Sequence, residues 1–95
     1  MIGIIVHHFA NAGMETDGRN AIETSGRAMK AFPGFKQRYT MVARDDPSQL
    51  VTVTLWEGHD DFVRWSQSDV NRNIARKPGL WKSKPEPVFF DVIPD

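Results

Sequence analysis

Three histidines, three tryptophans and a single tyrosine are the side chains of this 95-residue sequence with the widest chemical reach. An imidazole can donate, accept or take a proton near neutral pH, so each histidine is a candidate base or hydrogen-bonding group. His7 and His8 are adjacent in IGIIVHHF, and a strand sends adjacent side chains to opposite faces. His59 stands just ahead of Asp60 and Asp61, where it reads as an exposed helix-start residue. No two histidines have the helical spacing of a metal pair, and the sequence has no cysteine. Disulfides, thiolate metal sites and cysteine nucleophiles are therefore excluded, and no metal site is expected. Tryptophan offers large apolar area and one N–H donor. Trp65 lies on the pocket side of its helix if Phe62 faces the sheet, and it reads equally as a pocket wall or as an ordinary core residue. Trp56 and Trp81 read first as structural, with Trp81 placed to flank a pocket mouth.

These groups need a frame, and the alternation of apolar residues supplies one. Residues 2–9 predict a first strand with Gly3, Ile5, His7 and Phe9 on one face and Ile4, Val6 and His8 on the other. His7 and His8 are therefore expected on opposite faces of that strand. Asn11, Ala12 and Gly13 make a turn. Met14, Gly18, Ala21, Ile22, Ser25, Met29 and Phe32 then follow helical spacing, with charged residues opposite. Gly18 and Gly26 each cost that helix about 1 kcal/mol relative to alanine. An imperfect helix is one explanation, and room for a close helix–sheet approach or a ligand is another.

Pro33 stops the helix and Gly34 reverses the chain. From Phe35 the period becomes two: Phe35, Gln37, Tyr39 and Met41 point one way, and Lys36, Arg38, Thr40 and Val42 the other. Asp45, Asp46, Pro47 and Ser48 predict the turn of a hairpin, and Val51, Val53 and Leu55 alternate with Thr52, Thr54 and Trp56 in its second arm. Asp60 and Asp61 suit the first turn of a second helix. Ser68 and Asp69 open a short third one through Val70 and Ile74 toward Arg76, which Pro78 and Gly79 end. LWKSKPEP leads to a last strand, Val88 to Ile93. The order βαββαβ predicts an α+β, ferredoxin-like antiparallel sheet with its helices on one face. Both faces of the first strand are apolar, so a second copy of the chain is the simplest cover for the bare face.

Composition narrows the partners. A chain this short buries roughly 60–65% of its unfolded surface, enough for one domain with a modest core. Twelve basic residues balance twelve acidic ones and are dispersed, so neither nucleic acid nor an anionic membrane is an expected partner. The amino-terminal MIGIIVHHF lacks a basic leader and falls short of a membrane span. The absence of cysteine fits the reducing cytoplasm, where the chain is expected.

The run PGF, an alternating strand, a DDP turn, LVTVTLWE and DDFVRW followed by SQSDV resembles the antibiotic biosynthesis monooxygenase superfamily, including its haem-degrading branch. The resemblance covers about half the chain closely and most of it in element order. It implies two sheets packed into a dimeric α+β barrel with one pocket per subunit between sheet and helices. It also implies that Trp65 lines that pocket, and that His7 occupies the place where haem-degrading relatives carry an asparagine. Those relatives take their axial histidine from the segment after the Trp65 position, whereas no histidine follows His59 here. A haem would need His7 or a Tyr39 tyrosinate instead, so haem degradation ranks second. The first reading is a cofactor-independent monooxygenase acting on an aromatic or polycyclic small molecule. His7 is its expected base, and the Trp65 indole, Tyr39 or Asn11 are its expected donors; Phe62 and Trp81 complete the substrate-binding set. The same barrel also carries isomerases and non-enzymatic binders of small hydrophobic ligands.

Overall fold

In the computed structural model, which describes residues 1–74 and 78–95, four strands form one antiparallel sheet. They are β1 (Ile2–Phe9), β2 (Phe35–Ala43), β3 (Asp46–Trp56) and β4 (Pro87–Asp91), and the helices are α1 (Glu15–Met29), α2 (His59–Ser66) and α3 (Asp69–Ile74). The spatial order β2-β3-β1-β4 is that of the expected ferredoxin-like βαββαβ arrangement. The expected end of α3 toward Arg76 lies outside the described residues. No helix among those described is long and apolar enough to cross a membrane.

Ile2 and Ile4 of β1 meet Met29 of α1, Trp56 of β3 and Trp65 of α2 in the core. Trp56 is fully buried and takes Phe35 and Phe62 edge-on, with ring centroids 5.6 and 6.0 Å away. Its indole N–H donates to the Thr54 hydroxyl at 3.1 Å, so a polar atom of the core has its partner. The buried face of α1 is Gly18, Ile22, Gly26 and Met29.

Three local expectations are corrected. A register shift between Phe35 and Gln37 turns Phe35 into the core, while Gln37, Tyr39 and Met41 keep the outer face. Helix α1 ends at Met29 rather than Phe32, because the turn leading to Pro33 and Gly34 needs non-helical backbone. The hairpin turns tightly at Arg44 and Asp45, so Asp46–Ser48 already belong to β3. The Asp46 carboxylate satisfies both the backbone N–H and the hydroxyl of Ser48, at 3.0 and 2.6 Å, and those bonds hold its pKa below the ordinary value. The turn chemistry is thus present but closes a local loop inside the strand start.

Gly34 joins the two halves of the molecule. Its backbone is left-handed, with φ of 84°, and its carbonyl accepts a hydrogen bond from the Glu57 N–H at 2.8 Å. Asp61, in the first turn of α2, accepts from the Gly58 N–H at 3.1 Å and pairs with Arg64 at 3.1 Å, so it caps the helix that carries Phe62 and Trp65.

Candidate active site

A cleft of about 990 Å³ opens between the helix face of the sheet, α1, α2 and the segment from Gly79 to Pro85. Val6 and His8 of β1, Arg38 of β2, and Thr52 and Thr54 of β3 form its floor. Ile22 and Met29 wall it from α1, Phe62 and Trp65 from α2. Among the described residues no acidic side chain lines it, and no cluster of three or more potential metal ligands exists.

The face assignment of the two histidines is reversed from the sequence reading. Ile2, Ile4, Val6 and His8 look toward the helices, while His7 is exposed on the outer face beside Val51 of β3. The strand parity was read correctly but hung on the wrong face. Among the described lining residues His8 and His59 carry the imidazoles. His59 is about half exposed and rests against Phe89, with ring centroids 4.9 Å apart. His8 stacks at a tilt on Trp81, also at 4.9 Å, and its buried Nδ1 has no hydrogen-bond partner.

Burial pushes the His8 pKa down to about 4, and the positive charge of Arg38 adds to the shift. The backbone of Leu50 and of Val6 opposes the shift, and burial and Arg38 outweigh it. The imidazole is therefore neutral at pH 7, and its residue lines the cleft while Nδ1 itself is buried. Stability follows from this shift. The unfolded chain takes up a proton near pH 6.5 that the folded state refuses until about pH 4. Stability is then full above pH 6.5, falls with pH through that window, and is lowered by on the order of 2–3 kcal/mol at its acid end, at ~1.4 kcal/mol per pKa unit. Urea unfolding at pH 7 and pH 4.5 is expected to show a smaller acid loss for His8→Gln than for the wild type; equal losses would contradict the buried neutral imidazole.

Trp65 is buried, packs edge-on against Phe32 at 4.9 Å, and lines the cleft with Phe62. Trp81 also lines the cleft, and the cause lies in α1: a Cβ on Gly18 would stand 3.0 and 3.1 Å from the indole ring. Gly18 is the space that Trp81 occupies.

Asn11 and Tyr39 do not line the cleft. The Asn11 amide donates to the carbonyls of Gly79 at 2.7 Å and Trp81 at 3.2 Å, and its own N–H is held by the Leu80 carbonyl at 3.0 Å. It pins the segment that carries Trp81 onto the end of β1, so its donors are spent on structure. Tyr39 sits on the outer face, where its hydroxyl accepts from Gln37. Arg38 went unnoticed in the sequence reading. Its signal was parity: it shares a face with Thr40 and Val42, so a cation was destined for the helix side.

Solved structures with this fold are similar over nearly the whole chain. An antibiotic biosynthesis monooxygenase superposes with a TM-score of 0.87 at 13% identity, covering 99% of this chain and 100% of the other. SnoaB, a cofactor-independent oxygenase from Streptomyces nogalater, superposes at 0.82 with 19% identity over 99% and 95% of the two chains. A protein of Pseudomonas aeruginosa reaches 0.87 at 13% identity, over 98% and 94%. This chain has the α+β fold of the antibiotic biosynthesis monooxygenases. No family model matches the sequence, and no curated protein matches it either.

Proposed function

We propose that this protein is a cofactor-independent monooxygenase that oxidises an aromatic or polycyclic small molecule in the cleft above His8. The observation that carries the reading is the unpartnered, buried and neutral His8 imidazole in a cleft walled by Trp65, Trp81 and Phe62. A buried polar atom without a partner is costly, and such atoms concentrate where a ligand completes them. The likeness to SnoaB supports oxygen chemistry, and the cleft volume suits a fused-ring substrate. The base role expected of His7 passes to His8, because His7 lies across the sheet from the cleft.

In this mechanism His8 removes a proton from an activated ring carbon or phenolic oxygen, leaving an electron-rich anion. That anion reduces molecular oxygen and bonds to one of its atoms. Loss of water from the hydroperoxide leaves a carbonyl at the ring carbon, so one oxygen atom enters product and the other leaves as water. The Trp65 N–H is the donor available to the developing oxygen charge. An oxygen electrode with anthrone as substrate tests the reading. One O₂ consumed per anthrone, above the buffer rate, is expected; a rate equal to buffer alone would overturn it.

A homodimer belongs to the same proposal. Phe9, Tyr39, Met41, Val88 and Phe90 are each 38–52% exposed on the outer face of one sheet. An apolar face of this extent suits the large interface of an obligate dimer. Light scattering at micromolar concentration is expected to give twice the 10.8 kDa chain mass, and a stable monomer would contradict it.

Haem degradation stays the second reading. Trp81 lies against the His8 ring, and no histidine follows His59 to supply the ligand the haem-degrading branch uses. Titration with haemin is expected to give no sharp one-to-one Soret band; a sharp one, lost with reductant and oxygen, would make haem degradation the primary function.

A further inference from the structure

Arg38 has no ion pair among the described residues, although α1 and β2 hold its guanidinium in the floor of the cleft. Nη2 donates to the Ile22 carbonyl at 2.9 Å and Nη1 to the Met29 sulfur at 3.5 Å, which fixes the group and leaves donors over. The fit is built from both sides, since a Cβ on Gly26 would lie 2.8 Å from Nε. The helix thus accepts a glycine in its interior where the guanidinium needs room. Burial draws the Arg38 pKa below its ordinary value, the direction set by desolvating its charge. Lys82 and Lys84 add positive charge at the mouth, and acidic lining residues are absent among those described.

Resting on the cleft being the ligand site, we propose that Arg38 is an oxyanion subsite: it selects aromatic ligands that carry an ionised phenolic or enolic oxygen, and holds that oxygen beside His8. This subsite also answers a difficulty in the base chemistry. A neutral His8 facing a cation is a poor proton acceptor, but an anion seated on Arg38 offsets that charge and makes the imidazolium tolerable. Proton transfer and anion binding are then one coupled event.

The probe is 4-nitro-1-naphthol, whose phenolate absorbs visible light, compared with its methyl ether, which cannot ionise. Bound to the wild-type protein, the naphthol is expected to ionise at least one pH unit lower than in free solution, equivalent to at least tenfold tighter binding of the phenolate than of the phenol. Arg38→Gln keeps a donor for the Ile22 carbonyl and is expected to abolish the shift. A Lys82→Gln, Lys84→Gln double variant is expected to retain it. An unshifted or raised pKa for bound naphthol, or a shift that survives Arg38→Gln in folded protein, would overturn the subsite. Binding of the ether with no binding of the phenolate would overturn it as well. If neither probe binds, the aromatic-cleft reading itself fails and the subsite with it. The wild-type comparison needs no variant and no turnover, so it stands apart from the oxygenase assay.

Discussion

His8→Ala is expected to lower kcat/KM for oxygen uptake with anthrone by about 10²–10⁴-fold, the usual cost of losing a general base. His7→Ala is expected to leave the rate of the assembled protein within about twofold of wild type, because His7 lies across the sheet from the cleft. The two residues are neighbours in sequence and identical in chemistry, so the contrast isolates position. One lines the cleft, and the other lies across the sheet from it. The pH profile of kcat/KM carries a second signature. Its acid limb is expected near pH 4 to 5, below the ordinary histidine range, since burial and Arg38 hold His8 neutral down to about pH 4. His8→Ala is expected to lose that limb. An equal loss in both alanine variants, or a loss in His7→Ala alone, would remove His8 from the mechanism.

Gly34→Ala is expected to be the most destabilising of the conservative substitutions. A Cβ there would stand 2.2 Å from Asp61 Cγ and 2.5 Å from Oδ2, inside the carboxylate that caps α2. Left-handed backbone costs a non-glycine residue roughly 1–2 kcal/mol, and displacing the cap costs about 1 kcal/mol more. A loss of about 2–3 kcal/mol corresponds to ~8–24 °C in Tm for a chain of this size. Gly13→Ala is the control: φ is 83°, yet nothing lies within 4 Å of its Cβ. It should bear only the backbone cost, so calorimetry of the pair separates strain from collision. Similar Tm values for the two variants would show that Asp61 does not depend on Gly34. The consequence reaches function through α2, since the same helix places Phe62 and Trp65 in the cleft.

Period and punctuation made most of the fold legible in the sequence. The alternation in 2–9 and 51–56, the helical spacing from Met14 to Met29 and the PG stop led to the observed element order. What periodicity could not settle was which face of β1 meets the helices. Both His7 and His8 sit in apolar company, and parity fixes only that they differ. The deciding packing is tertiary: Ile4 and Val6 against Met29 and Trp65. A one-residue irregularity at Phe35 was likewise invisible, because an aromatic suits either face. Phe62, Trp65 and Trp81 all line the cleft, Trp65 at the place that the family resemblance implies and Trp81 in a loop that chain order puts near the cleft mouth. Asn11 was misread because an amide near a pocket looks like a ligand donor until its carbonyl partners are seen. The two helix glycines carried a signal larger than it first looked. Each marks a large cleft side chain, Trp81 over Gly18 and Arg38 over Gly26.

Oxygen-18 labelling addresses the oxygenase directly. Protein treated with a chelator and desalted is mixed with anthrone under ¹⁸O₂, and the product is weighed by mass spectrometry. One ¹⁸O atom in the new carbonyl per substrate consumed, with wild-type protein and not with His8→Ala, is the expected result. Label arriving from water, or product forming no faster than in buffer, would contradict a cofactor-independent monooxygenase built around His8.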